Sequence, residues 1–474
     1  MYHFNKNILS IFVFLIALSA SHGQELTRRL SDAYVRFARD PQLANAISSL
    51  YVIDATSGKV IFDRNSQVGL APASTQKTVT AAAAFDLLGK DFHYSTSVGY
   101  NGEIRSGVLD GNLFIHGTGD PTLGSPRWTA TQMKSVIGEI VTAIKTQHIT
   151  QVTGSIYLDE SGFSIAPIPD GWAWQDIGNY YGAGTWALNW NENQYDLVLK
   201  PGRKAGDSTG ILSFEPGDGS YELINQIKTG EKGSGDNGYI YLAPYAVNGF
   251  TQGTIPAGDE RFVISGSISY PAQILAAQLN DAFAHENIAI GRSIKLYQQK
   301  IANNEKWPLM TTTIHNYVSP ALDSIVYWFL RKSINLYGEA LAKTIALEKK
   351  GVGSTDIGVS LLKEFWKGKG IAINELNLYD GSGLSPFNRI TTHAEVAVLS
   401  YAKKQSWFPS FYAALPEFNG MKMKSGTIND VKSFCGYQRA KDGKEYIFSF
   451  IVNNYNGMPL SLVNKMYKVL DILK

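Results

Sequence analysis

Apolar residues recur at helical spacing near both ends of the chain, and a glycine-rich stretch with short alternating runs lies between them. Apolar positions three or four apart in 26–37 predict a helix. The apolar run 48–54, the turn after it and the second run 60–62 predict a β-hairpin. The alanine-rich segment 71–85 predicts a helix that begins near Ser74, because alanine has the highest helix propensity.

The middle of the chain predicts short elements joined by turns. Residues 96–100, 107–109 and 113–116 alternate between apolar and polar positions and are separated by glycines, which predicts three short strands with glycine turns. An amphipathic helix is predicted over 133–145. Residues 200–257 are the most turn-rich part of the sequence.

Helical periods return in the last third of the chain. A helix is predicted over 271–286, followed by a strand over 294–298 and a linker over 299–309. Further helices are predicted over 323–330, 333–348 and 355–367. Near the end, an alternating run that leads to Ser425 and the strand 446–452 predict the edge of an antiparallel sheet.

The first 23 residues have the features of a secretory signal peptide. Lys6 precedes an apolar run over 8–20, and small residues occupy both positions that a signal peptidase recognises in 21–23, so we predict cleavage before Gln24. The run is too short for a comfortable membrane span, and no later segment is long and apolar enough for one. We therefore expect an exported, periplasmic protein without a transmembrane anchor.

Composition narrows the class of protein. A chain of 474 residues exceeds what one hydrophobic core usually holds, so two or three domains are expected. Hydrophobic residues at 44% and charged residues at 18% describe a folded protein, and a net charge of +2 gives no reason to expect nucleic-acid binding. The single cysteine, Cys435, excludes an intrachain disulfide and a lipid-attachment cysteine at the predicted cleavage site.

The start of the alanine-rich helix carries candidate catalytic residues. Ser74 and Lys77 are three positions apart, so on a helix the lysine amine reaches the serine hydroxyl, and a nucleophile lies beside its base. The unpaired N–H groups of the first turn would stabilise an oxyanion there. The same Ser-x-x-Lys spacing occurs at Ser360 and Ser400, inside amphipathic stretches where solvated side chains need no catalytic explanation.

Three other motif matches are better explained as loops. The glycines in 117–121 lack the third glycine of a dinucleotide-binding loop, and Pro121 interrupts any helix. The segment 206–210 matches the nucleophile elbow of an esterase, but a polar loop precedes Ser208 where that elbow needs a buried strand. A Lys-Thr-Gly match begins at Lys228 in the same turn-rich region, and we predict a loop there too.

Two further motifs follow Ser-x-x-Lys in a fixed order. Ser333 and Asn335 form the only Ser-x-Asn in the chain, and Lys424, Ser425 and Gly426 form Lys-Ser-Gly. Ser-x-x-Lys, Ser-x-Asn and Lys-[Ser/Thr]-Gly in this order make up the active-site set of the penicillin-recognising serine enzymes. The order removes the two later Ser-x-x-Lys matches and the earlier Lys-Thr-Gly match.

The exported chain resembles the D-alanyl-D-alanine carboxypeptidase/endopeptidases among the low-molecular-mass class C penicillin-binding proteins. The matching stretches are 71–84, 117–123, 174–193, 333–339, 379–385 and 424–427. The resemblance implies an α/β fold in which a β-lactamase/transpeptidase-like domain is split by two nested, mainly β insert domains. The implied boundaries are 24–96 and 306–474 for the catalytic domain, 97–200 and 258–305 for insert domain II, and 201–257 for insert domain III.

The resemblance and the residue types imply a serine-type D-Ala-D-Ala hydrolase that uses no cofactor and no metal. Ser74 attacks the carbonyl between two D-alanines, and Lys77 takes its proton. The positive charge of Lys424 lowers the pKa of Lys77. Ser333 bridges the two amines and passes the proton to the leaving D-alanine, while Asn335 orients the substrate amide.

Further residues are expected to bind the substrate, a peptidoglycan stem peptide. The N–H groups of Ser74 and Thr427 form the oxyanion hole. The hydroxyl groups of Ser425 and Thr427, with Gly426 between them, bind the terminal carboxylate. β-Lactam antibiotics are expected to acylate Ser74 and to act as covalent inhibitors.

The resemblance also covers the wall of the cleft that faces the peptide. Asp176 and Tyr181 are implied to line this wall and to meet the free amino end of the stem peptide, although their aromatic cluster also fits a satellite core. Many relatives carry a basic residue where this chain has Pro386, and Arg389 is a candidate replacement. The third motif has Ser425 where threonine is usual, and serine keeps the hydroxyl that holds a carboxylate.

Three other functions fit part of the pattern. A class A β-lactamase is about half as long and carries a deacylating glutamate loop that we do not find in this sequence. A serine esterase of the β-lactamase-like fold usually has tyrosine where this chain has Ser333. A non-catalytic peptidoglycan-binding protein keeps the fold but does not need Ser74, Lys77, Ser333 and Lys424 together.

Overall fold

The computed structural model describes residues 24–216 and 221–474, so the predicted signal peptide, 1–23, lies outside the described residues. The helices of the described residues are, in chain order, α1 (24–38), α2 (Lys77–Leu87), α3 (Met133–Thr146), α4 (Trp174–Ile177), α5 (Pro271–His285), α6 (Tyr297–Ala302), α7 (Leu322–Arg331), α8 (Asn335–Lys350), α9 (Thr355–Gly368), α10 (Thr392–Ala402), α11 (Phe408–Ala414) and α12 (Pro459–Leu470). Across these residues, no helix is long and apolar enough to span a membrane.

The strands of the described residues are also numbered in chain order. They are β1 (Ile47–Asp54), β2 (Val60–Arg64), β3 (Ser95–Arg105), β4 (Val108–His116), β5 (Gln151–Val152), β6 (Ile156–Asp159), β7 (Gln194–Lys200), β8 (Gly210–Glu215), β9 (Glu222–Asn225), β10 (Lys228–Gly230), β11 (Asn237–Tyr241), β12 (Asn248–Pro256), β13 (Phe262–Ser267), β14 (Ala289–Ile290), β15 (Ile294–Leu296), β16 (Thr312–Val318), β17 (Leu376–Asn377), β18 (Arg389–Ile390), β19 (Glu417–Phe418), β20 (Met421–Ile428), β21 (Val431–Arg439) and β22 (Glu445–Asn453).

The chain divides into two units, each with its own core. The first unit contains the chain up to Ala82, the segment Phe365–Leu378 and the C-terminal part Phe387–Lys474. The second contains Ala83–Glu364 and the short segment Tyr379–Pro386. This division is coarser than one catalytic domain with two insert domains, and the boundaries given for those domains stay a prediction.

The first unit is built on an antiparallel sheet of six strands in the order β19-β20-β21-β22-β1-β2. Strands from the two ends of the chain meet where β1 pairs with β22 over its full length. One face of the sheet is apolar and is covered by α1 and α12. The rings of Tyr34 and Phe37 in α1, for example, lie 6.2 and 5.1 Å from the ring of Phe450 in β22.

The opposite face of the same sheet is also buried, but polar side chains occur there among the apolar ones. Because paired residues of neighbouring strands point to the same face, Lys424, Cys435 and Ser449 form a row across β20, β21 and β22. The Ser449 hydroxyl donates to Glu395 Oε2 of α10 at 2.6 Å, and burial raises the pKa of Glu395 to about 7. Thr78 of α2 lies 3.8 Å from the Cys435 thiol. Polar side chains therefore occur on the face that contacts α2 and that carries Lys424 of the predicted third motif.

The second unit contains a mixed seven-stranded sheet in the order β14-β5-β4-β3-β16, with β6 beside β4 and β15 beside β6. The prediction of three short strands over 96–116 is wrong, because β3 and β4 form one long hairpin. Gly102 and Gly111 lie inside this hairpin rather than in turns. A Cβ atom at Gly111 would lie 1.9 Å from the carbonyl oxygen of Asn101, so these glycines allow close approach of two backbones.

Two smaller sheets, β13-β7-β8 and β10-β12-β11 with β9 beside β12, complete the strands of the second unit. The predicted loop at Lys228 is instead the short strand β10, which pairs with β12. The predicted linker over 299–309 is also wrong, because α6 occupies its first part. The ring of Trp307 packs 5.9 Å from Tyr297 and lies under the Lys300 amine, which fixes this segment.

The predicted helices of the last third of the chain are confirmed to within two residues at each end. The long helix α8 is buried over its first three turns, and it ends at Gly351, whose φ of 76° is the left-handed conformation typical of a helix C-terminus. Close packing requires a glycine at Gly338, because a Cβ atom there would lie 2.8 Å from the ring of Phe329 and 2.9 Å from the carbonyl oxygen of Gly381.

Candidate active site

The backbone that leads into the first motif is held by residues that are distant in sequence. The side-chain amide of Asn453, at the end of β22, accepts from the Ala71 N–H at 2.8 Å and donates to the Ala71 carbonyl at 3.0 Å. Leu70 and Ile390 exchange two backbone hydrogen bonds of 3.0 and 2.8 Å. Segments from three parts of the sequence therefore fix the position of this stretch.

The first motif begins on a 3-10 helix, Ala73–Gln76, that continues into α2. Ala73 is fully buried and has a φ of 49°, a left-handed conformation that non-glycine residues rarely adopt. The Pro72 carbonyl accepts hydrogen bonds from Thr75 Oγ1 at 2.8 Å and from Ser433 Oγ at 2.5 Å. Strain at such a position persists only where surrounding bonds fix it, and these bonds do so.

Ser74 is the accessible residue of this stretch. Every other residue from 70 to 85 is buried, whereas Ser74 is partly exposed. Lys77 is fully buried at the start of α2, and its Nζ donates to Ser74 Oγ at 2.9 Å. The spacing of three residues thus brings an amine to the one hydroxyl of this stretch that a substrate can reach.

Lys424 contributes a second amine on the polar face of the sheet. It is 1% exposed, and its Nζ donates to the Ser425 carbonyl at 2.7 Å. Burial and, next in size, the nearby Lys77 ammonium lower the pKa of Lys424 well below its usual range. The two amines are therefore close enough to repel each other when both are charged.

Gly426 allows the edge of β20 to touch the backbone of the first motif. A Cβ atom at Gly426 would lie 2.3 Å from Ser433 Oγ, 2.6 Å from the Pro72 carbonyl oxygen and 2.8 Å from the Ser74 nitrogen. No side chain fits at this position. The next residue, Thr427, is exposed at the end of the strand and accepts a hydrogen bond from Lys432.

The second unit holds the second motif and the predicted peptide-binding residues. Ser333 has a φ of 58° and directly precedes the turn into α8, which starts at Asn335. Asn335 Nδ2 donates to the Tyr181 carbonyl at 2.6 Å. The Tyr181 hydroxyl bonds to the carboxylate of Asp176, and burial raises the pKa of both groups. Asn335, Tyr181 and Asp176 therefore form one hydrogen-bonded group.

A turn in 379–386 supports this group from within the second unit. The buried Asp380 carboxylate accepts from Trp172 Nε1 at 2.9 Å and from the N–H groups of Gly383 and Ser385 at 2.8 and 2.6 Å. The Gly381 N–H in turn donates to Glu339 of α8. Within the aromatic cluster, Trp172 is buried and has a structural role, whereas Trp174 is 48% exposed, and the assignment of the cluster to a wall of the cleft stays a prediction.

The competing motif matches lie outside these two groups. Ser360 is exposed on α9. Ser400 is on α10, where Lys403, the lysine of its motif, pairs with Glu445 instead. Lys228 Nζ donates to Ser208 Oγ at 3.0 Å, but both side chains are in a solvent-exposed position without a buried strand before the serine.

The predicted replacement for the basic residue at Pro386 stays a prediction. Arg389 is exposed on β18, and its guanidinium donates to the Asn388 carbonyl at 2.7 Å. No group of three or more His, Cys, Asp or Glu side chains within 24–216 and 221–474 is arranged to hold a metal ion.

Comparison with known proteins gives a family and several relatives. The profile of the D-Ala-D-Ala carboxypeptidase 3 (S13) family matches residues 31–417. A D-alanyl-D-alanine carboxypeptidase from Actinomadura sp. (strain R39) is 26% identical over 475 residues, covering 93% of this chain and 84% of the relative. The D-alanyl-D-alanine carboxypeptidase DacB of Haemophilus influenzae is 25% identical over 424 residues, covering 84% of this chain and 83% of the relative.

The fold is shared with a solved structure. The crystal structure of penicillin binding protein 4 (dacB) from Haemophilus influenzae superposes with a TM-score of 0.76 at 21% identity, covering 95% of this chain and 98% of the other. A complex of the same protein with a β-lactam superposes with a TM-score of 0.73. The predicted fold class, a transpeptidase-like α/β domain with insert domains, is confirmed by this match.

Replacing Gly426 by alanine tests whether the close approach of β20 positions Ser74. The added methyl group has to push the Pro72–Ser74 backbone or the strand edge away. We expect Gly426→Ala to slow acylation by a fluorescent penicillin by at least about 100-fold, since displacements near 1 Å at a reacting group have effects of this size. Gly368→Ala is the matched control, because Gly368 has open space around its Cα. Equal acylation rates in the two variants would contradict the positioning role.

Proposed function

Because the chain belongs to the D-Ala-D-Ala carboxypeptidase 3 (S13) family, we propose that it hydrolyses D-alanyl-D-alanine bonds in peptidoglycan stem peptides through an acyl-enzyme on Ser74. The observation that carries this proposal is the 2.9 Å hydrogen bond between Lys77 Nζ and Ser74 Oγ, beside the buried amine of Lys424. The partly exposed Ser74 hydroxyl is hydrogen-bonded to the Lys77 amine, and the nearby Lys424 amine disfavours protonation of Lys77. A hydroxyl bonded to a neutral amine is the arrangement of an activated nucleophile.

Acylation starts when Lys77, as a neutral amine, takes the proton of the Ser74 hydroxyl. Ser74 Oγ then forms a bond to the carbonyl carbon between two D-alanines, and the carbonyl oxygen becomes an oxyanion. When the tetrahedral intermediate collapses, the C–N bond breaks, and the leaving D-alanine amine receives the proton. Water later attacks the Ser74 ester and releases the shortened peptide, which restores the hydroxyl.

Lys424 is proposed to keep Lys77 competent as a base. Two ammonium groups this close and this buried are unfavourable, because each loses its hydration and repels the other. At least one of the two amines is therefore neutral over much of the range in which ordinary lysines are charged. The Ser74 hydroxyl selects Lys77 for the proton transfer because it is the amine bonded to it.

Backbone N–H groups of Ser74 and Thr427 are proposed to bind the oxyanion. The lack of a Cβ atom at Gly426 supports this, since it lets the end of β20 contact the backbone of Ser74. Preorganised donors of this kind are worth about 3 kcal/mol each in related acyl transfers. The Ser425 and Thr427 hydroxyls are proposed to receive the terminal carboxylate.

The residues of the second unit are assigned to substrate handling. Ser333 is proposed to relay the proton to the leaving amine, and Asn335 to orient the substrate amide, on the order and spacing of the motifs. Asp176 and Tyr181 are proposed to bind the free amino end of the stem peptide. Their hydrogen-bonded link to Asn335 supports this assignment.

We further infer from the sequence that the protein is exported to the periplasm after removal of 1–23. The apolar run after Lys6 and the small residues before Gln24 support this inference. The test is N-terminal sequencing of the protein recovered from cells, for which we expect a first residue at Gln24. Recovery of the intact N-terminus would contradict export through this segment.

Peptide mapping after reaction with a fluorescent penicillin tests the assignment of the nucleophile. We expect the label at Ser74 alone, because its hydroxyl is accessible and bonded to a buried amine. Ser74→Ala should lower the acylation rate by at least about 10⁴-fold, the size seen when a serine nucleophile is removed. Ser360→Ala and Ser400→Ala are matched controls and should react as the parent does. Label at either control serine, or at Ser208, would refute the assignment.

The pH dependence of acylation tests the coupling of the two lysines. Lys424→Ala removes a positive charge beside Lys77, so the pKa of Lys77 rises, and the neutral base forms only at higher pH. We expect the alkaline rise of the acylation rate to move upward by roughly 1 to 3 pH units. The rate should recover only partly at high pH, because a relay partner is also lost. An alkaline rise at the parent's pH would limit Lys424 to carboxylate binding.

Substrate comparison tests the peptide-binding wall. Asp176→Asn removes the negative charge but keeps the shape, so it should slow hydrolysis of a peptide with a free diaminopimelate amine by roughly tenfold, the effect of losing one charged hydrogen bond. A plain acyl-D-Ala-D-Ala, which lacks that amine, should be hydrolysed at nearly the parent rate. Equal slowing of hydrolysis of both substrates would indicate that Asp176 has only a structural role.

Analysis of the muropeptide products distinguishes trimming of pentapeptides from cutting of cross-links.

A further inference from the structure

Lys432 lies beside the proposed carboxylate site, although none of the three motifs includes it. It is the second residue of β21 and pairs directly with Thr427 of β20. Paired residues in an antiparallel sheet point to the same face, and Lys432 Nζ donates to Thr427 Oγ1 at 2.7 Å. The amine is thus fixed at the edge of the strand that ends the third motif.

The Lys432 amine carries a charge that nothing in the first unit neutralises. It lies 5.1 Å from the centre of the Phe434 ring, and burial lowers the pKa of Lys432 to about 8. Among the described residues, no carboxylate forms an ion pair with it. Lys424 is a charged neighbour of the same sign, because the positive charge of Lys432 lowers the pKa of Lys424. This end of the β20–β21 hairpin therefore attracts anions.

The hydrogen bond to Thr427 also sets the direction of the threonine hydroxyl. A hydroxyl oxygen can accept and donate at the same time. Because the ammonium of Lys432 can only donate, Thr427 Oγ1 is the acceptor in this bond, and its own proton stays available for another partner. A substrate carboxylate can accept from the Thr427 hydroxyl and from the remaining N–H groups of Lys432 together.

We propose that Lys432 is a carboxylate-binding residue, which supplies the positive charge that holds the terminal carboxylate of the substrate next to the Ser425 and Thr427 hydroxyls. This inference rests on the proposed function and extends it, because it assigns the selection of substrates with a free carboxylate to a charge outside the three motifs. Hydrogen bonds to charged groups are strong enough that losing this charge should weaken productive binding by about tenfold or more.

The experiment compares two reactive substrates that differ only in the charge at the recognised end. One is the thioester of an N-acyl-D-alanine with thioglycolate, whose leaving group carries a carboxylate, and the other is the matching thioester with thioglycolamide. The enzyme variants are Lys432→Gln and Lys432→Arg in the exported chain. Glutamine keeps an N–H donor for Thr427 without the charge, whereas arginine keeps both. Lys441→Ala, an exposed lysine beyond the other end of β21, controls for the loss of one positive charge.

We expect Lys432→Gln to raise KM for the carboxylate substrate by about tenfold or more, with kcat changed much less. On the amide substrate the same variant should match the parent to within about twofold, because no ionic contact is lost. Lys432→Arg should restore binding of the carboxylate substrate, and Lys441→Ala should behave as the parent on both. This pattern supports the proposal.

Other outcomes separate the failure of this inference from the failure of the proposed function. A Lys432→Gln variant with the parent's KM on the carboxylate substrate would overturn the inference, since the lysine would then only orient Thr427. Equal losses on both substrates would also overturn it, by making the role structural. If the parent reacts with neither thioester nor with a fluorescent penicillin, the proposed function fails and this inference fails with it.

Discussion

The proposed chemistry of this protein depends on the repulsion between two buried lysine amines. Lys77 at the start of α2 and Lys424 on β20 are almost fully excluded from solvent. A positive charge on one amine disfavours a positive charge on the other, so the state in which both are ammonium groups is unfavourable. We propose that a fold that forces them together keeps one amine neutral at ordinary pH, so that it can accept the proton of a serine hydroxyl. The remaining features of the first unit serve to hold these two amines and Ser74 in place.

The six-stranded sheet achieves this by having two buried faces of different character. Side chains on the same face of the sheet as Phe434 and Phe450 form an apolar core with α1 and α12. Side chains on the same face as Lys424 and Ser433 point toward α2 and α10. A one-residue slip of β20 would exchange Lys424 for Ser425 on the polar face. The apolar core therefore fixes the register that places the catalytic amine.

Much of this arrangement could be predicted from the sequence. The order of three motifs pointed to the penicillin-recognising serine enzymes, and the resemblance of longer stretches pointed to the carboxypeptidase family that the family match confirms. The spacing of Ser74 and Lys77 predicted their contact because i and i+3 share a helix face. The left-handed backbone at Ala73 could not be predicted, because no residue type signals it there. Nor could the glycines of the β3–β4 hairpin be distinguished from turn glycines, since their role depends on the partner strand.

The hydrogen bonds between the Asn453 side chain and the Ala71 backbone show why local sequence patterns alone do not determine such a site. The two residues are 382 positions apart, and the side-chain amide forms hydrogen bonds with both the N–H and the C=O of Ala71. The side chain replaces a strand partner where the chain leaves the sheet to form the nucleophile turn, so the backbone groups of Ala71 stay paired although it is buried. The same logic applies to Ser433, whose hydroxyl pairs the Pro72 carbonyl. Polar residues of the C-terminal strands thus supply the pairing that allows a strained turn to persist beside Ser74, so the position of the proposed nucleophile depends on strands from the other end of the chain.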